Sequence, residues 1–380
     1  MIGRALVASA LALQFPLIPA AASAAACEPA RGTMQVGESW AQKRLDPKRV
    51  WSLSTGAGVS VAIIDSGVDL QHPQIRLAGK ADLTGTDDRD CIGHGTAVAG
   101  IIGAQYMKGV LFYGMAPGAR LLSYKQTTSE REGDPALLVN AIKSAADEGA
   151  KVINVSISTV DQPALKAAVE YALAKDAVVV AAAGNVQKED GTPVPAYPAA
   201  YEGVLAVGAV NQSGALTDFS NVKTPVAVLG PGQDVASTWP GRSYNTDLDG
   251  TSYAAPYVAG TAALVRARFP SLDQAQVRQR IIATADGATG GGKGAGMVNP
   301  MQAVSAILPY EPANAPVVAP PPASPLPQGA VAGVPPVDHG AINLALIIAG
   351  CAAGLSLLVA AARVMIPMGR RRGWRPGRAE

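Results

Sequence analysis

Val59-Ser60-Val61-Ala62-Ile63-Ile64-Asp65-Ser66-Gly67 is the stretch on which the fold class turns. Residues 59–64 are a short, largely β-branched apolar run, and it stops at an acid, a hydroxyl and a glycine. Such a run reads as a strand buried on both faces. Similar runs recur at residues 121–124, 152–157, 177–183, 204–210 and 226–229. Helical patterns lie between several of them. Residues 134–148 open on Asp134-Pro135, an N-cap followed by proline at the first helical position, and space Leu138, Ala141, Ile142 and Ala145 along one face before Gly149. Residues 163–175 repeat the pattern with Leu165, Ala168, Val169 and Ala172. Ser271-Leu272-Asp273-Gln274 predicts a capping box opening a third helix through about residue 283. This alternation predicts an α/β fold: a mostly parallel twisted sheet with helices on both faces.

The chain has 380 residues, room for two or three domains at about 150 residues each. Its ends do not read as globular. Residues 1–26 combine Arg4, an apolar centre and a small-residue stretch, the pattern of a cleaved export signal. Cys27 beside that boundary would also suit a lipid anchor, but the preceding alanines fit that signal poorly. Residues 341–362 hold no charged side chain and are long enough for a membrane helix. Arg363, Arg370, Arg371, Arg372, Arg375 and Arg378 follow, which predicts a cytoplasmic tail over 363–380 and a cell-membrane protein whose large domain lies outside the cytoplasm. Between domain and membrane, residues 310–340 are proline-rich and predict a semi-rigid stalk. The remainder divides into an extension over 27–58 and one large domain over 59–309.

Hydrophobic residues make up 48% and aromatics 5%, with 41 Gly and 29 Pro, so the core must be packed from small side chains. A net charge of +2, with basic residues clustered only at the C-terminus, argues against nucleic acid as a partner. Cys351 falls in the membrane segment, which leaves Cys27 and Cys91 in the exported region. Either they remain free thiols or they form a disulfide, and an oxidising compartment favours the disulfide.

Chemistry concentrates at Asp65, at His94 in Gly93-His94-Gly95-Thr96, and at Ser252 in Gly250-Thr251-Ser252-Tyr253-Ala254-Ala255-Pro256. Each has glycine close by, which allows close backbone approach where a side chain must be presented. A serine hydroxyl needs a base to take its proton, and an imidazole serves best when a buried carboxylate fixes its tautomer. Only two other histidines occur. His72 reads as a loop residue supporting the Asp65 region, and His339 belongs to the stalk. No His-x-x-x-His pair is present, and Asp87, Asp88 and Asp90 offer at most a speculative cation loop, so neither a metal nor another cofactor is expected.

In this order the three blocks resemble the signatures of the subtilisin-like serine proteases (peptidase S8), over residues 59–300. The resemblance implies that Asp65 orients, His94 is general base and then acid, and Ser252 is the nucleophile. Asn185 in Ala182-Ala183-Gly184-Asn185 resembles the family's oxyanion-hole asparagine. Where secreted members commonly carry Ser-Leu-Gly-Gly along the substrate groove, this chain has Ser156, Ile157, Ser158 and Thr159. Those side chains predict a reshaped groove and low turnover on generic proteins. The layout of signal, cysteine-bearing extension, stalk, membrane helix and arginine-rich end resembles the mycosins, membrane-anchored proteases of type VII secretion systems. It implies protein or peptide substrates, the bilayer and a secretion membrane complex as partners. Members of that group often carry a further disulfide in the catalytic domain, and this chain lacks the cysteines for it. Two other roles stay open: a general tethered protease, or a structural subunit whose proteolysis is dispensable.

Overall fold

The computed structural model describes residues 27, 29–129, 134–186, 193–287, 293–309, 311 and 339–373. The expected signal segment, most of the stalk and the tail from residue 374 lie outside the described residues.

Seven parallel strands form the main sheet: β1 (Ser60–Asp65), β2 (Leu77–Asp82), β3 (Arg120–Lys125), β4 (Val152–Val155), β5 (Val178–Ala182), β6 (Leu205–Val210) and β7 (Val228–Pro231), in the order β2-β3-β1-β4-β5-β6-β7. The expected α/β architecture is therefore present. Alternation along β1 shows why it is central. Val61 and Ile63 enter one apolar cluster and Ala62 and Ile64 the other, and all four are fully buried.

Helices α1 (Trp40–Leu45), α2 (Pro47–Val50), α3 (His94–Gly103), α6 (Thr251–Arg268), α7 (Gln274–Ala283) and α8 (Pro300–Ser305) contribute to the first cluster. Helices α4 (Pro135–Asp147) and α5 (Pro163–Ala174) contribute to the second. A separate antiparallel pair, β8 (Val235–Trp239) with β9 (Ser243–Leu248), packs on α3. The box predicted at Ser271 forms two residues later: Asp273 caps α7 and closes it with Gln276.

α6 runs through the core, and every residue from Thr251 to Arg266 is buried. Its small residues make this possible. A Cβ on Gly260 would stand 2.5 Å from the Met115 Cβ, so only glycine lets the helix pass that close. Pro256 lies inside α6 and has no N–H to give to the Ser252 carbonyl one turn back. The Ser156 hydroxyl donates to that carbonyl instead, at 2.8 Å.

The C-terminal unit contains α9 (His339–Arg371), which runs through Pro367 and past the uncharged segment 341–362. Its stretch Ile342–Arg371 is long and apolar enough to cross a membrane, with a mean hydropathy of 2.4. Leu346, Leu355 and Leu358 are exposed along it. The protein is accordingly a single-pass membrane protein.

Near the domain's end, the fully buried Arg280 stacks 4.0 Å above the Phe269 ring and donates from Nε to the Ala303 carbonyl at 2.5 Å. Its remaining nitrogens bond the Ala306 carbonyl and Glu311. Removing one partner of such a pair leaves the other charge buried alone. Arg280→Ala is expected to cost about 3–5 kcal/mol in urea unfolding monitored by domain fluorescence. A loss below about 1 kcal/mol would contradict a structural role for this cluster.

Candidate active site

Asp65 ends β1 and is 1% exposed. Its Oδ1 accepts the Ser66 N–H at 2.8 Å, and the His94 Nδ1–H donates to the same oxygen at 2.7 Å. That contact fixes the imidazole tautomer and leaves Nε2 as the nitrogen available to a hydroxyl.

Local backbone geometry makes the approach possible. Gly93 is the N-cap of α3 at φ 97°, and His94 is the first helical residue. A Cβ on Gly95 would lie 2.1 Å from the Gly67 carbonyl and 3.1 Å from Asp65 Oδ1. Gly95 is therefore a steric requirement of bringing α3 against the end of β1, while Gly93 answers to the positive φ of the cap and to the Trp239 ring beside it.

Ser252 occupies the second position of α6, and its N–H is among the first four of the helix, which have no intrahelical acceptor. The His94 ring lies 4.9 Å, centroid to centroid, from Tyr253, so the two helix starts meet. Asn185 follows β5. Its Oδ1 accepts both the Thr251 N–H and the Thr251 hydroxyl at 2.9 Å, which turns the Nδ2 end away from them. A Cβ on Gly250, at φ 151°, would stand 2.9 Å from Ser252 Oγ and 3.2 Å from Asn185 Nδ2. The glycine thus leaves one small space faced by a hydroxyl oxygen and an amide donor.

A second buried acid braces this arrangement. Asp90, 3% exposed, accepts the Ser66 hydroxyl at 3.0 Å, the Gly93 N–H at 2.8 Å, and the Thr96 N–H and hydroxyl at 2.8 and 2.6 Å. Burial pushes its carboxyl above the ordinary carboxylate range, against the Thr96 and Gly93 donors, which pull it down. Asp87 pairs with Arg89, whose hydrogen bond holds the exposed carboxyl below its usual range, and Asp88 pairs with Lys80. These three acids are held by protein donors instead of facing one another around a common centre.

The structure joins Cys27 to Cys91, with Cα atoms 4.8 Å apart, and leaves Cys351 exposed on α9. The groove residues divide. Ser158 and Thr159 line a cleft of about 310 Å³ together with Gly184, Asn185, Pro195 and Asn221. Ser156 is buried, and its hydroxyl accepts from Asn154 Nδ2 at 2.9 Å while donating to Ser252, so it acts on the helix start and not on the groove surface. His72 is also buried, but against β9, with Nε2 3.1 Å from the Ser243 carbonyl. Thr251, Asp90 and Ser66 were missed as site residues. The Asp-x-x-x-His spacing of Asp90 to His94 was the available signal.

Together, a parallel sheet and a chain order of acid, imidazole and hydroxyl define a serine endopeptidase with a subtilisin-type scaffold. The sequence profile of the Subtilase family (Peptidase_S8) matches residues 56–302, and the chain belongs to that family. Within it, homology to the mycosins is strong in sequence and in structure. The chain is 36% identical to Mycosin-4 of Mycobacterium tuberculosis over 380 residues, covering 88% of this chain and 82% of that one. It is 41% identical to subtilisin DY of Bacillus licheniformis over 234 residues, 60% of this chain and 84% of that one. The crystal structure of MycP1 from the ESX-1 type VII secretion system superposes with a TM-score of 0.67 at 31% identity, covering 77% of this chain and 95% of that one.

The buried His72 gives a pH prediction. Burial lowers its pKa from the ordinary 6.5, while the Ser243 carbonyl and Asp69 work in the opposite direction. The unfolded chain therefore takes up a proton as pH falls below 6.5 that the folded chain refuses until lower pH, and stability drops across that window. Thermal unfolding between pH 7 and 5 should show a shallower fall in His72→Gln than in the wild type, by at most about 1.4 kcal/mol per pH unit. Parallel pH curves for the two proteins would rule this out.

Proposed function

We propose that Ser252 is the nucleophile of this protease, with His94 as its base and Asp65 as the orienting acid. Ser252 Oγ attacks the scissile carbonyl while His94 Nε2 takes its proton and then gives it to the leaving amine. The carbonyl oxygen becomes an oxyanion in the space beside Gly250, where Asn185 Nδ2 and the Ser252 N–H donate to it. The dipole of α6 favours negative charge at the same point. Asp65 keeps the imidazole in one tautomer and supports its charge when protonated. The observation that carries this reading is the convergence at Gly250 of the hydroxyl and a side-chain amide whose other end is tied to Thr251.

Ser158 and Thr159 narrow the substrate groove and restrict the enzyme to few protein substrates. The arginines that end and follow α9 place the tail in the cytoplasm and the catalytic domain outside it. Residues 1–26 then serve as the export signal, 27–58 as the extension and 310–340 as the stalk. Similarity to Mycosin-4 and to MycP1 supports a place at a type VII secretion membrane complex.

A fluorophosphonate probe should label the wild type and not Ser252→Ala. Asn185→Ala should still label, with kcat on a peptide substrate lowered about 100- to 1000-fold. Equal labelling of wild type and Ser252→Ala would refute the assignment. In cells, secretion that persists with Ser252→Ala but fails on deletion of the gene would assign the essential role to the folded subunit and not to cleavage.

A further inference from the structure

Residues 29–36, led by Cys27, form a strap across the β8–β9 pair. Thr33 exchanges backbone hydrogen bonds with Tyr244 of β9 at 2.7 and 2.8 Å, extending the pair by one short strand. Gly32 fits beneath it only as glycine, since a Cβ would stand 2.4 Å from Ser243 Oγ. Val36 packs against the cluster of Phe112 and Tyr244. At the strap's start, Cys27 is bonded to Cys91, three residues before His94.

The strap also reaches the histidine by a second route. Trp239, the last residue of β8, is 6% exposed and donates from Nε1 to the Ala30 carbonyl at 2.6 Å. Its indole lies flat against the residue that precedes His94. A Cβ on Gly93 would stand 2.4 Å from Cζ2 and 2.6 Å from Cε2 and Cη2 of that ring. The preceding residues of β8 grip the same helix turn: Thr238 Oγ1 donates to the Thr96 carbonyl at 2.8 Å and Ser237 Oγ to the Ala97 carbonyl at 2.6 Å. Asp90 bonds the Gly93 N–H, so this glycine is held by the acid and pressed by the indole.

We propose that Trp239 is a positioning residue for His94, and that the strap sets its position through the bond from Ala30 to the indole. The inference rests on His94 being the base of the reaction. A shift of the indole moves Gly93, and Gly93 is the pivot on which the first residue of α3 turns. Small displacements of a base relative to its nucleophile are costly in rate while leaving substrate contacts intact. Trp239 does not line the cleft beside Asn185, so its effect falls on kcat and not on KM.

The test uses the full-length chain in detergent, with turnover expressed per active site titrated by a fluorophosphonate. Trp239→Phe keeps a ring against Gly93 and loses the indole N–H, and Trp239→Ala loses both. Turnover per titrated site should fall about 10-fold in the first and about 100-fold in the second, with KM within about twofold of wild type. Titration removes any loss of folded protein from the comparison, and Trp239→Phe carries the test if Trp239→Ala does not fold. Wild-type kcat in Trp239→Phe would overturn the role of the strap bond, and a raised KM at unchanged kcat would place Trp239 in substrate binding instead. A wild type inert to the probe would overturn the protease assignment itself, a result distinct from either.

Discussion

A carboxylate 1% exposed at the end of β1 is the constraint from which the rest of the site follows. A carboxyl group buried this deeply costs free energy unless hydrogen-bond donors are brought to it. Ser66 supplies one from its backbone and His94 supplies another from the ring. Delivering that ring requires the start of α3 to touch the strand end, and this dictates the glycine at 95. Asp90 then collects the donors that the turn into α3 would otherwise leave unpaired. The two buried acids share the Ser66 hydroxyl, which lies within 3.2 Å of Asp65 and 3.0 Å of Asp90.

Ser252 is placed by a different device. α6 passes through the middle of the domain on small residues, which a composition of 5% aromatics permits. A proline in its first turns removes one helical bond, and Ser156, the residue just past β4, replaces it. The sheet therefore fixes the height of Ser252 directly, through Asn154 and Ser156, in addition to the general packing of α6. Thr251 performs the matching task for Asn185. Each reacting group is thus held by a neighbour that is itself buried or capped, which keeps the site preorganised while water and substrate exchange.

The parallel sheet was legible in the sequence, and so were the three positions proposed as reactive, because each leaves a local mark. Buried strands are continuous apolar runs, and the reactive side chains stand beside glycines. Other parts leave weaker marks. β2 reads Leu-Ala-Gly-Lys-Ala-Asp, a partly exposed edge strand without a run to notice. α3 and α6 are apolar or small on every side, so they show no helical period even though they carry His94 and Ser252. α1 opens on a capping box of Ser39 and Gln42. The β8–β9 pair, with Trp239, is fixed by long-range packing on α3 and by the strap, and no short stretch of sequence encodes that. Ser156 was legible as part of a motif but not in its direction, because its partner lies 96 residues away.

The separation between a tethering helix and a compact protease domain matches the two sequence classes from which they are built, one uniformly apolar and one patterned. Replacing Asp65 by Asn tests the central claim most directly, since the shape is kept while the charge that selects the imidazole tautomer is removed. Steady-state turnover of Asp65→Asn on a peptide substrate at neutral pH should fall about 10⁴-fold with KM little changed. Turnover close to that of the wild type would contradict the account.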